Sequence, residues 1–126
     1  MTDIIYKQES YEIIGACMNV YNNLGPGFKE AIYQEALELE FAGRNIPYKS
    51  ETKLRILFKG YNLSRHLRAD FLCYDSIIVE IKSLPSLNIY NYKQVKNYLK
   101  ATSFRLGILV NFGGSSLSYK RILNPL

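Results

Sequence analysis

Several features that would mark particular protein classes are scarce or missing in this sequence. It has two cysteines, Cys17 and Cys73, with no CxxC spacing, and a single histidine, His66. This pattern excludes a disulfide scaffold and a Cys/His zinc site, so we expect reduced core cysteines in an intracellular, cytoplasmic protein. No apolar run is long enough for a membrane span and none of signal-peptide length opens the chain, so we expect neither.

Carboxylates are absent from the last part of the chain. Residues 1–52 hold four basic and eight acidic residues, a net charge of −4, whereas residues 53–126 hold twelve basic and three acidic ones, a net charge of +9. Those three acids are Asp70, Asp75 and Glu80. An asymmetry between halves is typical of proteins that contact nucleic acid. Acids within the basic half are therefore candidates for a specific role, although Asp75 lies in the sequence Tyr-Asp-Ser, which predicts a tight turn.

The length of 126 residues and an apolar content of 48% predict one domain, residues 1–126, with a core of its own. Hydrophobic periodicity and turn residues predict the order α-α-β-β-β-α-β-β. The apolar, β-branched run Ile77–Lys82 predicts a buried central strand. A strand, a helix and a strand in succession imply a parallel crossover beside an antiparallel meander. We therefore expect an α/β fold with a mixed sheet flanked by helices.

The expected helices cover residues 10–22, 28–42 and 88–101. The second is expected to face the core with an apolar stripe that includes Phe28, Ile32 and Leu39. The expected strands cover residues 46–58, 63–73, 77–82, 104–111 and 116–123.

Asp70, Glu80 and Lys82 form the set best suited to chemistry. Glu80 and Lys82 are two apart on one strand, so they point to the same face, and a short turn joins that strand to the one carrying Asp70. A register that places Asp70 beside Glu80 would bring two carboxylates and an amine together. Such a set suits Mg²⁺, and a nearby lysine can orient the attacking water. The competing interpretation is an ordinary ion pair on an exposed strand, which the apolar character of this strand disfavours.

These residues resemble the D…(D/E)-X-K signature of the PD-(D/E)XK nuclease superfamily, which has an α-β-β-β-α-β, restriction-endonuclease-like core. The stretch Gly27–Tyr33 is similar to the G-x-x-E-x-x-Y pattern that names a small bacterial and archaeal family, GxxExxY, within it. Five further blocks resemble that family in its order: 23–27, 68–71, 79–82, 94–99 and 110–113. The resemblance covers roughly residues 8–123. It departs at Ala69, where the superfamily motif has a proline that is not a ligand.

The resemblance implies a metal-dependent endo- or exonuclease that hydrolyses phosphodiester bonds, expected to be those of DNA. Asp70 and Glu80 would bind Mg²⁺, with Mn²⁺ as a substitute, and Lys82 would orient the water. Glu30 would help to hold the metal through water, although an acid in the first turn of a helix also suits the helix dipole. Gln94 would reach the active site, against the alternative of a solvated helix position. Tyr33 is expected to pack in the core.

The basic residues interleaved with tyrosines could contact phosphates, which gives affinity without sequence readout. The selected residues are Lys53, Arg55, Arg68, Lys93 and Lys96. A solvated surface is the competing interpretation for any one of them. The alternative function is a nuclease-fold protein that binds nucleic acid or a protein partner without cleaving; the small size favours it and the intact acid-acid-lysine set argues against it. By analogy with small nucleases, a homodimer is expected.

Overall fold

The computed structural model describes residues 4–124, which form three helices and five strands in the predicted order. The helices are α1 (Lys7–Leu24), α2 (Glu30–Gly43) and α3 (Ile89–Thr102). The strands are β1 (Tyr48–Phe58), β2 (Tyr61–Cys73), β3 (Ile77–Lys82), β4 (Leu106–Asn111) and β5 (Ser118–Leu123). The predicted α/β fold is confirmed, and the element bounds differ from the expected ones by at most three residues.

One mixed sheet contains all five strands, in the order β1-β2-β3-β4-β5. Neighbouring strands are antiparallel except β3 and β4, which run parallel because α3 connects them as a crossover. The central strand is β3, and its first five residues are buried. β-branched side chains suit a strand that is covered on both faces. The prediction of a buried central strand at residues 77–82 is confirmed.

Helices cover the sheet on both faces. Along β3 the side chains alternate between two cores: Val79 packs with α1 and α2, whereas Ile78 packs with α3. In the first core Tyr33 of α2 is completely buried, and in the second Val95 and Leu99 of α3 are completely buried. The sheet therefore separates two cores, one packed with α1 and α2 and one packed with α3.

The second helix buries a different stripe from the expected one. Its core-facing residues are Tyr33, Leu37 and Phe41. The expected stripe is exposed, namely Phe28, Ile32 and Leu39. Both sets contain residues at helical spacing, so periodicity alone does not choose between them. The observed stripe is selected by tertiary packing, in which Phe41 meets the ring of Phe71 edge-on at 5.1 Å between centroids.

The two cysteines are free and buried, as predicted. Burial raises the pKa of both the Cys17 and the Cys73 thiol, so neither is a reactive thiolate at neutral pH. Within residues 4–124, the helices are all too short or too polar to cross a membrane.

Strands β1 and β2 form a hairpin that continues beyond the edge of β3. β2 pairs with β3 at only three positions near its end, whereas β1 and β2 stay paired out to Phe58 and Tyr61. The turn residues Lys59 and Gly60 both have positive φ, 49° and 83°, as in the type I′ turns that suit the twist of a hairpin. Residues 52–69 are named the hairpin arm below.

Candidate active site

The candidate site lies in a gap between β2 and β3. Pairing between these strands ends at Phe71 and Val79. Beyond that point, in the described part of the chain, β2 pairs only with β1 and the last three residues of β3 pair only with β4. The strands therefore separate, and backbone groups on the facing edges need other partners. Asp70 and Glu80 are the first residues of the gap on either side.

Two hydrogen bonds from backbone to carboxylate span this gap. The N–H of Asp70 donates to Oε1 of Glu80 at 2.8 Å, and the N–H of Ile81 donates to Oδ2 of Asp70 at 2.8 Å. Each side chain thus satisfies a backbone donor of the opposite strand, which holds its orientation. The other oxygens, Oδ1 of Asp70 and Oε2 of Glu80, take no part in these two bonds. The structure brings the two predicted carboxylates together.

When both carboxylates are ionised, the protein compensates their negative charge only in part. Glu80 is 4% exposed, and burial, followed by the charge of Asp70, raises its pKa to about 8. Burial likewise raises the pKa of Asp70. The ammonium of Lys82 acts in the opposite direction on both groups but does not offset burial. A further positive charge at this position would stabilise both ionised carboxylates.

Glu30 approaches the same site from α2, of which it is the first residue. Burial raises its pKa, while Lys82 lowers it and Asp70 raises it, so Glu30 lies in the electric field of both. An open cleft of about 540 Å³ is lined by Glu30, Asp70 and Ile81 together with residues 31, 34, 35, 38 and 51. The cleft connects the strand gap to solvent on the side of α2.

The loop that leads into α2 is held by Tyr33. The side chain is completely buried, as predicted, and stacks on Phe112 with ring centroids 4.5 Å apart. Its hydroxyl donates to the carbonyl oxygen of Gly25 at 2.5 Å and accepts the N–H of Phe28 at 3.3 Å. These contacts anchor the start of the helix, and Tyr33 thereby positions Glu30.

Asn111 holds the segment that follows Lys82 in the sequence. Asn111 is the partner of Lys82 in the parallel β3–β4 register. Asn111 is buried; its Oδ1 accepts the N–H of Leu84 and its Nδ2 donates to the carbonyl oxygen of Leu84, both at 2.9 Å. Gly113 packs so closely here that a Cβ atom would lie 2.3 Å from the backbone nitrogen and oxygen of Leu84. Sequence reasoning assigned no role to Asn111, although it lies in the last of the quoted blocks.

On the other face of the sheet, Tyr98 of α3 lies near the carboxylate pair. Burial, and next the negative charge of Glu80, raise the pKa of its hydroxyl. Nε2 of the predicted site residue Gln94 donates to the Tyr98 hydroxyl at 3.3 Å. Gln94 is therefore hydrogen-bonded to a tyrosine that lies in the electric field of Glu80. Tyr98 was interpreted from the sequence as half-buried packing, and it is half-buried.

Gln34 is a site residue that sequence reasoning missed. Its Nε2 donates to the carbonyl oxygen of Asp70 at 3.0 Å, which ties α2 to the strand that carries the carboxylate. Gln34 lies one helical turn after Glu30, on the same face. This spacing of four residues from Glu30 is the sequence feature that could have identified Gln34 as a site residue.

The basic residues predicted to contact phosphate fall into two groups, and all are exposed. Lys53, Arg55 and Arg68 lie on the hairpin arm, and Lys93 and Lys96 lie on α3. The ion pairs within residues 4–124 are Arg44–Glu40 and Lys49–Asp75. None of the five predicted residues is therefore neutralised by a carboxylate in the described part of the chain.

The capacity of the site for a cation rests on the two carboxylates. Nowhere in residues 4–124 do three or more His, Cys, Asp or Glu side chains form a cluster that could surround an ion. Mg²⁺ binds through one or two carboxylates and takes its other ligands from water and phosphate, whereas zinc sites use three or four His and Cys ligands. The oxygens of Asp70 and Glu80 thus fit a hard divalent cation, and the partly compensated charge of the pair favours one.

Comparisons with known proteins agree with this fold and place the chain in a superfamily. The crystal structure of SSO0001 matches with a TM-score of 0.60 over 96% of this chain and at 23% identity; the chain spans 61% of that protein's chain. At this identity the match shows the fold alone. No curated protein is significantly similar. A family model for the PD-(D/E)XK nuclease superfamily matches residues 7–122, which include both carboxylates and the lysine. The chain belongs to the PD-(D/E)XK nuclease superfamily.

Proposed function

We propose that this protein is a Mg²⁺-dependent nuclease that hydrolyses phosphodiester bonds of DNA at the gap between β2 and β3. The observation that carries the proposal is the pair of hydrogen bonds across the strand gap, from the N–H of Asp70 to Glu80 and from the N–H of Ile81 to Asp70. These bonds hold the two carboxylates together, and Lys82 follows Glu80 by two residues on the same strand. Nucleases of this superfamily generally use divalent metals and act on nucleic acids. Mg²⁺, DNA and the residue roles below are our proposals.

Asp70 and Glu80 would hold the metal, with Glu30 contributing through water from the cleft. When bound, Mg²⁺ or Mn²⁺ supplies positive charge for the phosphate and lowers the pKa of a water molecule. Backbone N–H groups already hold the orientation of both carboxylates, of which Glu80 is buried and Asp70 is half-buried. Such preorganisation avoids the cost of ordering the ligands when the metal and the substrate bind.

Lys82 would orient the attacking water and stabilise charge on the phosphate. Its charge lowers the pKa of Asp70, Glu80 and Glu30, so its ammonium lies within the field of all three carboxylates. An ammonium donates hydrogen bonds only, which suits it to hold the oxygen of water or of a phosphate. Gln94 would steady this arrangement through the hydroxyl of Tyr98.

We also propose that the chain is a member of the GxxExxY family. Each residue of the pattern has a structural use here: Gly27 has φ 99°, which favours glycine, Glu30 faces the site, and Tyr33 anchors the loop between them. A homodimer, and contacts of the exposed arm and α3 cations with phosphates, remain predictions that accompany this assignment.

The test is cleavage of supercoiled plasmid with Mg²⁺ by the wild type and by Lys82→Ala. Loss of a group that acts on the transferred proton or its water lowers a rate by about 100-fold or more. Lys120→Ala, an exposed lysine on the far edge strand β5, serves as the matched control and should cleave like the wild type. Equal cleavage by Lys82→Ala and Lys120→Ala would refute the assignment of Lys82.

Metal binding separates the nuclease from the non-cleaving alternative. Calorimetric titration with Mg²⁺ or Mn²⁺ should reveal one site in the wild type that Asp70→Asn removes. DNA binding without metal binding, and without cleavage of supercoiled, linear, gapped or single-stranded DNA, would support the alternative of a nuclease-fold binding protein.

A further inference from the structure

The hairpin arm, residues 52–69, is a two-stranded ribbon whose base has one face against the core and one exposed face. Four consecutive pairs define its base, from Thr52 with Ala69 to Arg55 with His66. Leu54 is buried in the core formed with α3, and its cross-strand partner Leu67 packs against the same core. Directly paired residues share a face, and next neighbours along a strand point to opposite faces. The base of the arm is therefore anchored to the protein through its leucine face.

The opposite face of the ribbon is basic. Lys53 pairs with Arg68 and Arg55 pairs with His66, and all four side chains are exposed. Between residues 52 and 69 the sequence has five Lys or Arg residues and no Asp or Glu. None of the five takes part in an ion pair within residues 4–124. Arg68 lies two residues before Asp70, so the basic face ends roughly 7 Å along β2 from the carboxylate pair.

The tip of the arm is apolar and aromatic. Phe58 and Tyr61 pair directly across the turn and are 57% and 74% exposed, beside Leu57 at 65%. The ammonium of Lys59 lies 5.6 Å from the centroid of the Phe58 ring. Two aromatic rings and a cation at the end of a protruding basic ribbon are groups that stack on bases and bind phosphate. A second copy of this chain would bring the same five cations, and like charges oppose that pairing.

We propose that the hairpin arm is a nucleic-acid-binding arm, whose basic face holds the phosphate backbone and whose Phe58–Tyr61 tip stacks on an unstacked base, so that DNA with a gap, branch or end is bound in preference to continuous duplex. The choice of DNA as the ligand rests on the proposed function, whereas binding by the arm does not require that the protein cleaves DNA. Six residue steps separate Thr52 from Phe58, so the tip lies roughly 20 Å from the base of the arm.

Two dumbbell duplexes, closed at both ends by non-nucleotide linkers and differing only in a short central gap, test the arm. Affinities are measured by fluorescence anisotropy in EDTA, so that no cleavage competes. Tyr61→Ser is compared with Tyr11→Ser, since Tyr11 of α1 is exposed to the same extent, 73%. Lys53→Gln combined with Arg55→Gln is compared with Lys7→Gln combined with Lys120→Gln, which removes two exposed charges elsewhere.

The wild type should bind the gapped dumbbell more tightly than the continuous one. Tyr61→Ser should lower the affinity for the gapped dumbbell by about five-fold or more, since each stacked base contributes that much. Its affinity for the continuous dumbbell should not change. The arm double variant should weaken binding to both DNAs and lower the slope of log affinity against log salt by about two. Both control variants should bind like the wild type.

The inference is overturned if Tyr61→Ser behaves like Tyr11→Ser, if it weakens both dumbbells equally, or if the arm double variant behaves like its control. Dissociation of a wild-type dimer by Tyr61→Ser in sedimentation would likewise overturn it, because the tip would then be a protein interface. If the wild type cleaves DNA and the arm variants bind DNA like the wild type, the nuclease proposal holds and the arm proposal is wrong. If the arm variants bind as expected but the wild type does not cleave DNA in Mg²⁺, the arm proposal holds and the nuclease proposal is wrong.

Discussion

Replacing Glu80 by glutamine should remove a pH dependence from the stability of the metal-free protein. Burial and Asp70 raise the pKa of Glu80 from 4.5 to about 8. Between these values the folded protein keeps a proton that the unfolded chain has lost, so the free energy of unfolding falls as the pH rises, and it levels off above about 8. An interval of about 3.5 pH units at ~1.4 kcal/mol each corresponds to a loss of roughly 5 kcal/mol.

A divalent cation should reverse this loss. It binds the ionised carboxylates of the folded protein, and at about 100 times its dissociation constant it adds ~2.7 kcal/mol to the free energy of unfolding. The gain should be greatest near pH 8, where Glu80 ionises most readily in the folded protein, and it should fall toward pH 4.5, where Glu80 is protonated. Glu80→Gln should lose most of this gain, because one ligand no longer ionises.

Urea unfolding between about pH 4.5 and pH 8, in EDTA and in Mg²⁺, measures both effects. The control is Glu35→Gln, which removes an exposed acid from the lining of the same cleft and should keep the slope of the wild type. The reasoning is refuted if Glu80→Gln in EDTA loses stability with pH as steeply as the wild type. It is also refuted if Mg²⁺ stabilises Glu80→Gln as much as the wild type.

Two further substitutions test how the site is held. Tyr33→Phe should lower the free energy of unfolding by about 1–3 kcal/mol in urea, because the carbonyl of Gly25 loses its donor; an unchanged midpoint would contradict this. Gly113→Ala should cost about 1–3 kcal/mol, because its Cβ would overlap the backbone of Leu84, whereas Gly43→Ala, with open space around it, should stay within about 0.5 kcal/mol or gain stability. Equal thermal midpoints for the two alanine variants would count against the clash.

Local patterns in the sequence were sufficient for the order of the elements and for the central strand. Four of the five residues at 77–81 are β-branched and apolar, on both faces of the strand, and such a composition is typical of a strand that is covered on both faces. Periodicity failed where two stripes competed on α2. Tyr33, and not Ile32, packs in the core because its ring stacks on Phe112, a residue almost eighty positions away. No local sequence pattern contains that contact.

The sequence by itself determined the superfamily signature, the charge asymmetry and the identity of Asp70, Glu80 and Lys82 as a set, because their types and spacing lie within one short segment. Only the tertiary structure decided how they meet. The gap between β2 and β3 arises from where two strands stop pairing, and it turns the two carboxylates into acceptors for backbone N–H groups. The same separation of strands frees the hairpin arm, whose basic face and aromatic tip depend on a register that no single segment encodes.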